Sequence, residues 1–209
     1  MAEITSSTEQ PKTLTDQVRL VLKVVLDPIG AFLNKLGLMP NTMTILGLVG
    51  HTIGAYFLSQ GMMLVGGLVI LAMAPFDALD GTMARLRGEP SDFGAFVDSV
   101  TDRYSELALF LGLMIYYTLQ GAWLNVIVVY LAAAGSVLVS YVRSKAESLG
   151  YNAKVGILTR LERYIVIVPA LILGYPMVAM WIVAVMAHVT AFQRIVHVRH
   201  QAHVHITKQ

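Results

Sequence analysis

Six stretches of this chain are apolar enough to cross a bilayer, and turn residues separate each from the next. A helix needs about 20 apolar residues to traverse the hydrocarbon core. The stretches run over Thr42–Gln60, Met62–Leu86, Phe93–Leu119, Ala122–Ser144, Leu161–Leu173 and Pro176–His197. The breaks fall at Gln60-Gly61, Gly88-Glu89-Pro90-Ser91, Gln120-Gly121, Gly150 to Gly156, and Gly174-Tyr175-Pro176. A thick soluble helical bundle would need a polar face on each helix, and the fourth and sixth spans have almost none. Only 13% of the residues are charged, about half the share usual in soluble domains. The expected fold is therefore an all-α integral membrane protein with six transmembrane helices.

Charge sets the expected orientation. The turns after spans one, three and five hold no Lys, Arg, Asp or Glu. Every Lys and Arg lies in the amino-terminal arm, the other two connections, the helix ends beside them, or the carboxyl-terminal tail. Positive charge stays on the cytoplasmic side, so both termini are expected there, in a multi-pass inner (cytoplasmic) membrane protein. Trp123 and Tyr116-Tyr117, near outer turns, read as interface anchors. Residues 1–12 read as a polar tail, without the apolar core of a signal peptide. Residues 13–39 form an amphipathic stretch, with Leu14, Val18, Val21, Val25 and Phe32 near helical spacing, Lys12, Arg19 and Lys23 elsewhere, and Pro28 as an interruption. This arm is expected to lie in the interface or to pack on the inner end of the bundle. The six-helix domain covers 40–200, with Asn41 as the expected cap of its first span, and 201–209 is a tail.

Six acidic residues cluster near the inner ends of spans two and three: Asp77, Asp80, Asp92, Asp98, Asp102 and Glu106. A charge at the centre of a membrane helix costs about 2.5–3.5 kcal/mol, so such a concentration needs a cause. Asp77 and Asp80 are three apart and Asp98 and Asp102 four apart, so each pair shares a helix face. Two antiparallel helices joined by a short loop would bring the pairs together. Unneutralised, they would repel and some would protonate. A hard divalent cation resolves the conflict. With no cysteine in the chain, thiolate zinc sites, Cys-ligated clusters and disulfides are excluded. Gly81 and Ala84 follow Asp77 on its stripe, and Gly94 precedes Asp98 by one turn. Such residues serve tight helix packing or leave room for a substrate. Arg85 stands at the helix end, where it can hold a phosphate.

DALDGTMARLRGEPSDFGAFVDSVTD resembles the signature of the CDP-alcohol phosphotransferases, Asp-x2-Asp-Gly-x2-Ala-Arg-x8-Gly-x3-Asp-x3-Asp. Asp77, Asp80, Gly81, Ala84, Arg85, Gly94, Asp98 and Asp102 occupy all eight fixed positions with every gap correct. Chance agreement at one site is on the order of 10⁻¹⁰. The resemblance extends from Pro40-Asn41-Thr42-Met43-Thr44 to about His200 and implies a six-helix membrane fold, usually a homodimer. It implies a CDP-lipid donor, CDP-diacylglycerol or CDP-archaeol, and two ions of Mg²⁺ or Mn²⁺. Asp77, Asp80, Asp98 and Asp102 are the implied metal ligands. Asp102 is also the implied general base, taking the proton of an acceptor hydroxyl that attacks the lipid-side phosphorus as CMP leaves. The implied CDP contacts are Asp77, Asp80, Gly81, Ala84, Arg85 and Gly94.

The acceptor is read from the end of span four, SYVRSKAESLG, and the start of span five, KVGILTRLERY. Arg143, Lys145, Lys154, Arg160 and Arg163 crowd one inner region. Positive-inside topology alone accounts for such a group, and a phosphorylated acceptor also suits it. SYVRxxAE followed by RLER resembles the branch that makes phosphatidylinositol phosphate or archaetidylinositol phosphate. That resemblance implies inositol 1-phosphate as acceptor, with glycerol 3-phosphate second and serine third. Arg103 and Glu106 either pair with each other or join the site.

Nothing in the sequence points to a nucleic-acid partner. A cation transporter would use the acidic cluster as an ion path but has no need for an arginine beside a cleared helix face. A structural scaffold gives no reason for converging carboxylates. His197, His200, His203 and His205 read as a solvated or headgroup-facing segment before a metal site. The 11 methionines are spread through the spans and read as packing.

Overall fold

The structure is a computed structural model. It describes residues 26–88 and 91–206, without the side chains of Asp77 and residues 204–206. The amphipathic stretch up to Val25, with Leu14, Val18, Val21, Lys12, Arg19 and Lys23, lies outside the described residues, as do Glu89 and Pro90.

Helices are the regular structure of the described chain, with no strand among the described residues. Helix α1 covers 26–35 and includes Pro28. It is followed by α2 (Pro40–Ser59), α3 (Met63–Arg87), α4 (Asp92–Leu119), α5 (Trp123–Ser148), α6 (Arg160–Ile172) and α7 (Pro176–Ile206). The ends follow local chemistry. Pro40 occupies the first helical position of α2, where its missing N–H costs nothing. The cap is therefore Met39 rather than Asn41, which sits one residue inside the helix. Ser91 caps α4 by accepting from the Gly94 N–H at 3.0 Å. The three charge-free turns each contain a glycine at positive φ: Gly61, Gly121 and Gly174. With no Gly or Pro after Pro176 to stop it, α7 continues through the histidines expected in a tail.

Four helices, α2, α3, α5 and α7, are long and apolar enough to cross a membrane. The other two expected spans differ for physical reasons. Helix α4 is long, but its stretch from Asp92 to Glu106 carries Asp92, Asp98, Asp102, Arg103 and Glu106. Helix α6 has 13 residues, about 20 Å at 1.5 Å per residue, short of a hydrocarbon core of about 30 Å.

Two sets of helices meet. Helix α2 packs against both α3 and α4, which scarcely touch each other. Helix α7 packs against α5 and α6, while α3–α6 and α4–α5 contacts join the sets. Small residues set the closest approaches. A Cβ on Gly112 of α4 would run into the Ala55 carbonyl of α2, and one on Gly135 of α5 would lie 2.9 Å from Ala187 Cβ of α7. The core runs between them through Leu58, Ile70, Phe110, Val129, Ile167 and Met180. Tyr117 is buried in that core instead of anchoring an interface, because its ring packs inward from α4. Trp123 is exposed. Outward faces are apolar too: Ile45, Val49, Ile53 and Tyr56 line one exposed face of α2.

At its other end α1 is tied to α3. Asn34 Nδ2 donates to the Met83 carbonyl at 3.1 Å, and Arg87 Nε donates to Asn34 Oδ1 at 2.7 Å. Ile29 and Phe32 of α1 are exposed beside the last turns of α3.

Candidate active site

Asp80 is an acidic residue of the signature held by two donors. Its side chain lies in the carboxyl-terminal half of α3 and is 5% exposed. Thr44, one turn into α2, donates its hydroxyl to Asp80 Oδ2 at 2.6 Å, and the Gly81 N–H donates to Oδ1. Two donors on a carboxylate fix its orientation. Thr44 is buried as well, so the contact is a product of α2–α3 packing. The sequence reading missed Thr44, although its position four residues after Pro40, in the motif Pro40–Thr44, was the available signal.

The space beside Asp80 separates the two readings of the small residues. Among the described residues, a Cβ at Gly81 would meet only the tip of Arg85, at an ordinary 3.4 Å. Packing does not demand glycine there, in contrast to Gly112. Arg85 borders this face, with Nη2 donating to Thr82 Oγ1 at 2.9 Å. Arg85 is exposed and Ala84 half-buried. Across the site, a Cβ at Gly94 would lie 3.0 Å from Ser91 Oγ and 3.9 Å from Asn41 Oδ1. The first turn of α2 thus reaches both α3 and α4.

Asp98 and Asp102 lie on α4, both partly buried. Asp102 is 14% exposed, and its Oδ1 receives Arg160 Nη1 at 2.6 Å. Arg103 stands 3.7 Å from Asp102 Oδ2 and donates Nη1 to the Ser99 carbonyl. Arg103 therefore does not pair with Glu106. Glu106 instead takes both Nε and Nη2 of Arg163, at 2.6 and 2.9 Å, deep between α4 and α6. Arg163 is 1% exposed.

The residues of the expected basic group thus occupy different settings. Arg160 is 29% exposed and lies against Asp102. Arg163 is committed to Glu106. Arg143 is exposed and pairs with Glu147 one turn on, at 2.9 Å. Lys145 and Lys154 are exposed. The structure adds Arg194, which the sequence reading passed over. It is buried on α7, donates to the carbonyls of Val139 at 2.6 Å and Val155 at 2.8 Å, and has Arg143 and Arg163 as charged neighbours. A lone arginine inside the last apolar span was the signal that could have found it.

The four signature carboxylates do not all come into view. Asp77 lies on α3, but its side chain is outside the described residues. Among the described residues, no three His, Asp or Glu side chains gather as a metal cage, and His197, His200 and His203 make none on α7. The donor set still suits a hard cation in kind. Its candidate ligands are carboxylate oxygens, and Asp80 is buried and oriented by Thr44 and Gly81.

Residues 37–193 match the family model for CDP-alcohol phosphatidyltransferase. The chain belongs to this family. That membership makes it an enzyme and sets aside a cation transporter or a scaffold. An archaetidylinositol phosphate synthase of Pyrococcus horikoshii is 35% identical over 185 residues, covering 87% of this chain and 95% of the relative. A crystal structure of Mycobacterium tuberculosis phosphatidylinositol phosphate synthase with CDP-DAG bound superposes with a TM-score of 0.79 at 31% identity, covering 83% of this transferase and 93% of that chain. The same M. tuberculosis enzyme in complex with manganese and citrate gives a TM-score of 0.79 at 32% identity, over 83% and 88% of the two chains.

Proposed function

We propose that this transferase moves a phosphatidyl-type group from CDP-diacylglycerol or CDP-archaeol to a hydroxyl of inositol 1-phosphate and releases CMP. The observation that carries the acceptor is the 2.6 Å contact between Arg160 and Asp102. It sets a phosphate-binding cation beside the proposed base, so one molecule with a phosphate and a nearby hydroxyl can meet both. The relatives named as inositol phosphate-lipid synthases support the same acceptor.

The roles follow from position. Gly81 and Ala84 leave room for the nucleotide, Gly94 clears the facing helix, and Arg85 holds a donor phosphate. Two divalent ions, Mg²⁺ or Mn²⁺, held by Asp77, Asp80, Asp98 and Asp102, supply charge neutralisation at the donor pyrophosphate. Asp102 accepts the proton of the acceptor hydroxyl. The acceptor oxygen then bonds to the lipid-side phosphorus, and the bond from that phosphorus to the oxygen of CMP breaks. Such a reaction depends mainly on positioning and charge, which the helices provide. Arg160, Arg143, Lys145 and Lys154 receive the acceptor phosphate, with the buried Arg194 beside them. Arg163 acts behind them by way of Glu106.

In this reading all six helices from α2 to α7 cross the membrane, α4 and α6 within the bundle. The active site and both termini lie on the cytoplasmic side, α1 lies in the interface, and the enzyme works as a homodimer. Transfer in detergent tests the chemistry, with CDP-diacylglycerol, Mg²⁺ and separate arms of inositol 1-phosphate, glycerol 3-phosphate, serine and free inositol. Turnover is expected with inositol 1-phosphate and is expected to vanish in Asp102→Asn. Turnover with glycerol 3-phosphate alone would retain the mechanism and remove the acceptor assignment.

A further inference from the structure

Arg160 has a second neighbour besides Asp102. Tyr164 follows it by one turn on α6, and the Arg160 guanidinium lies over the ring, with Cζ 5.4 Å from the centroid. The Tyr164 ring is in turn met by His51 of α2 in an edge arrangement, with centroids 5.9 Å apart and planes at 76°. His51 is fully buried, and its Nδ1 lies 2.8 Å from the Gly47 carbonyl. The sequence from the core outward is His51, Tyr164, Arg160, Asp102, with α2, α6 and α4 each contributing.

A long arginine side chain has many rotamers, and ordering it at the moment of binding weakens affinity. An aromatic face attracts the guanidinium and holds it flat, leaving the edge donors free to point at an anion. The packed core fixes the face: His51 stands against the ring, so the ring has little freedom to swing away. We propose that Tyr164 is a positioning residue that holds Arg160 beside Asp102 in the orientation that receives the acceptor phosphate. This rests on the acceptor reading above. Tyr164 touches neither substrate in this scheme and acts through Arg160 alone.

Steady-state kinetics of the purified full-length enzyme test it with Tyr164→Phe and Tyr164→Leu. The acceptor is inositol 1-phosphate, or whichever phosphorylated alcohol the wild type turns over. Phenylalanine keeps the ring face, whereas leucine keeps apolar bulk without it. Tyr164→Leu is expected to raise the acceptor KM about three- to tenfold and to change the CDP-diacylglycerol KM by less than about twofold, with Tyr164→Phe near wild type. Equal rises in both KM values, or the same acceptor KM in the Phe and Leu variants, would overturn the proposal. If the wild type prefers glycerol 3-phosphate, the acceptor reading fails, and the Phe–Leu contrast on that substrate still decides the role of Tyr164.

Discussion

At the scale of single residues, the Glu106–Arg163 pair has the clearest energetic consequence. Both groups are buried, and the guanidinium meets both carboxylate oxygens. Removing one partner of such a pair strands a charge and typically costs about 3–5 kcal/mol, whereas replacing both with neutral groups of similar size is far milder. Arg163→Met is therefore expected to lower the unfolding temperature in detergent sharply, and Glu106→Gln/Arg163→Met to recover most of the loss. A single variant as stable as the wild type would show that the pair is not maintained in the folded enzyme. This pairing also marks where reading along the chain stops. The local motif RLER placed two arginines near an inner helix end but did not distinguish them. Their partners are 57 and 58 positions away, reached by long arginine side chains that extend from α6 to α4. Asp80 was recognisable from its spacing, but its donor Thr44 comes from another helix.

At the scale of helices, most boundaries were legible because turn chemistry is local. Glycines at positive φ mark the three charge-free turns, and the expected spans agree with the helices to within a few residues at those ends. The carboxyl end of α7 was not legible, since polar residues such as His200 and Gln201 do not themselves break a helix. The partnership between helices was hidden for a different reason. The loop linking α3 to α4 is short, which suggested direct contact, yet α2 is the helix that packs on both. Its closest approach to α4 is at Gly112, where a methyl group would meet backbone that cannot rotate away. Gly112→Ala is expected to destabilise the enzyme by about 1–3 kcal/mol. Thermal unfolding in detergent should detect this; a neutral result would mean that α2 and α4 separate easily. The same change at Gly121, where no neighbour lies within 4 Å, is a poor control because its φ of 68° disfavours any side chain. Leu111→Ala, on an exposed position of α4, serves better.

At the scale of the whole molecule, the proposed orientation can be tested without removing native thiols, because the chain has no cysteine. Single cysteines at Gln120 or Tyr175 should react with a membrane-impermeant thiol reagent applied outside sealed cells. Cysteines at Ser148 or Gln201 should react only after the membrane is opened. The reverse pattern would invert the topology, and the positive-inside argument with it. The length of α7 bears on the same picture. Its 31 residues extend about 46 Å at 1.5 Å per residue, well beyond a hydrocarbon core of about 30 Å. In the proposed topology its last turns stand clear of the lipid tails, where Gln201 accepts from the Asn152 N–H at 3.0 Å and helps to hold the α5–α6 connection.

The division of the helices into two sets has a further consequence. The residues proposed to handle the nucleotide lie on α3 and α4, braced by α2. Those proposed to handle the acceptor come from α5, α6, their connection and α7. The two groups meet along one seam, where Asp102 touches Arg160 and Glu106 holds Arg163. Such an arrangement is modular. A lineage can rewrite the helices that choose the recipient while leaving the machinery that delivers the cargo untouched, provided the seam keeps its two ion pairs. A chimera that joins α1–α4 of this enzyme to the later helices of a relative with another acceptor must therefore carry the matching pair of arginines, or the halves will not close on each other.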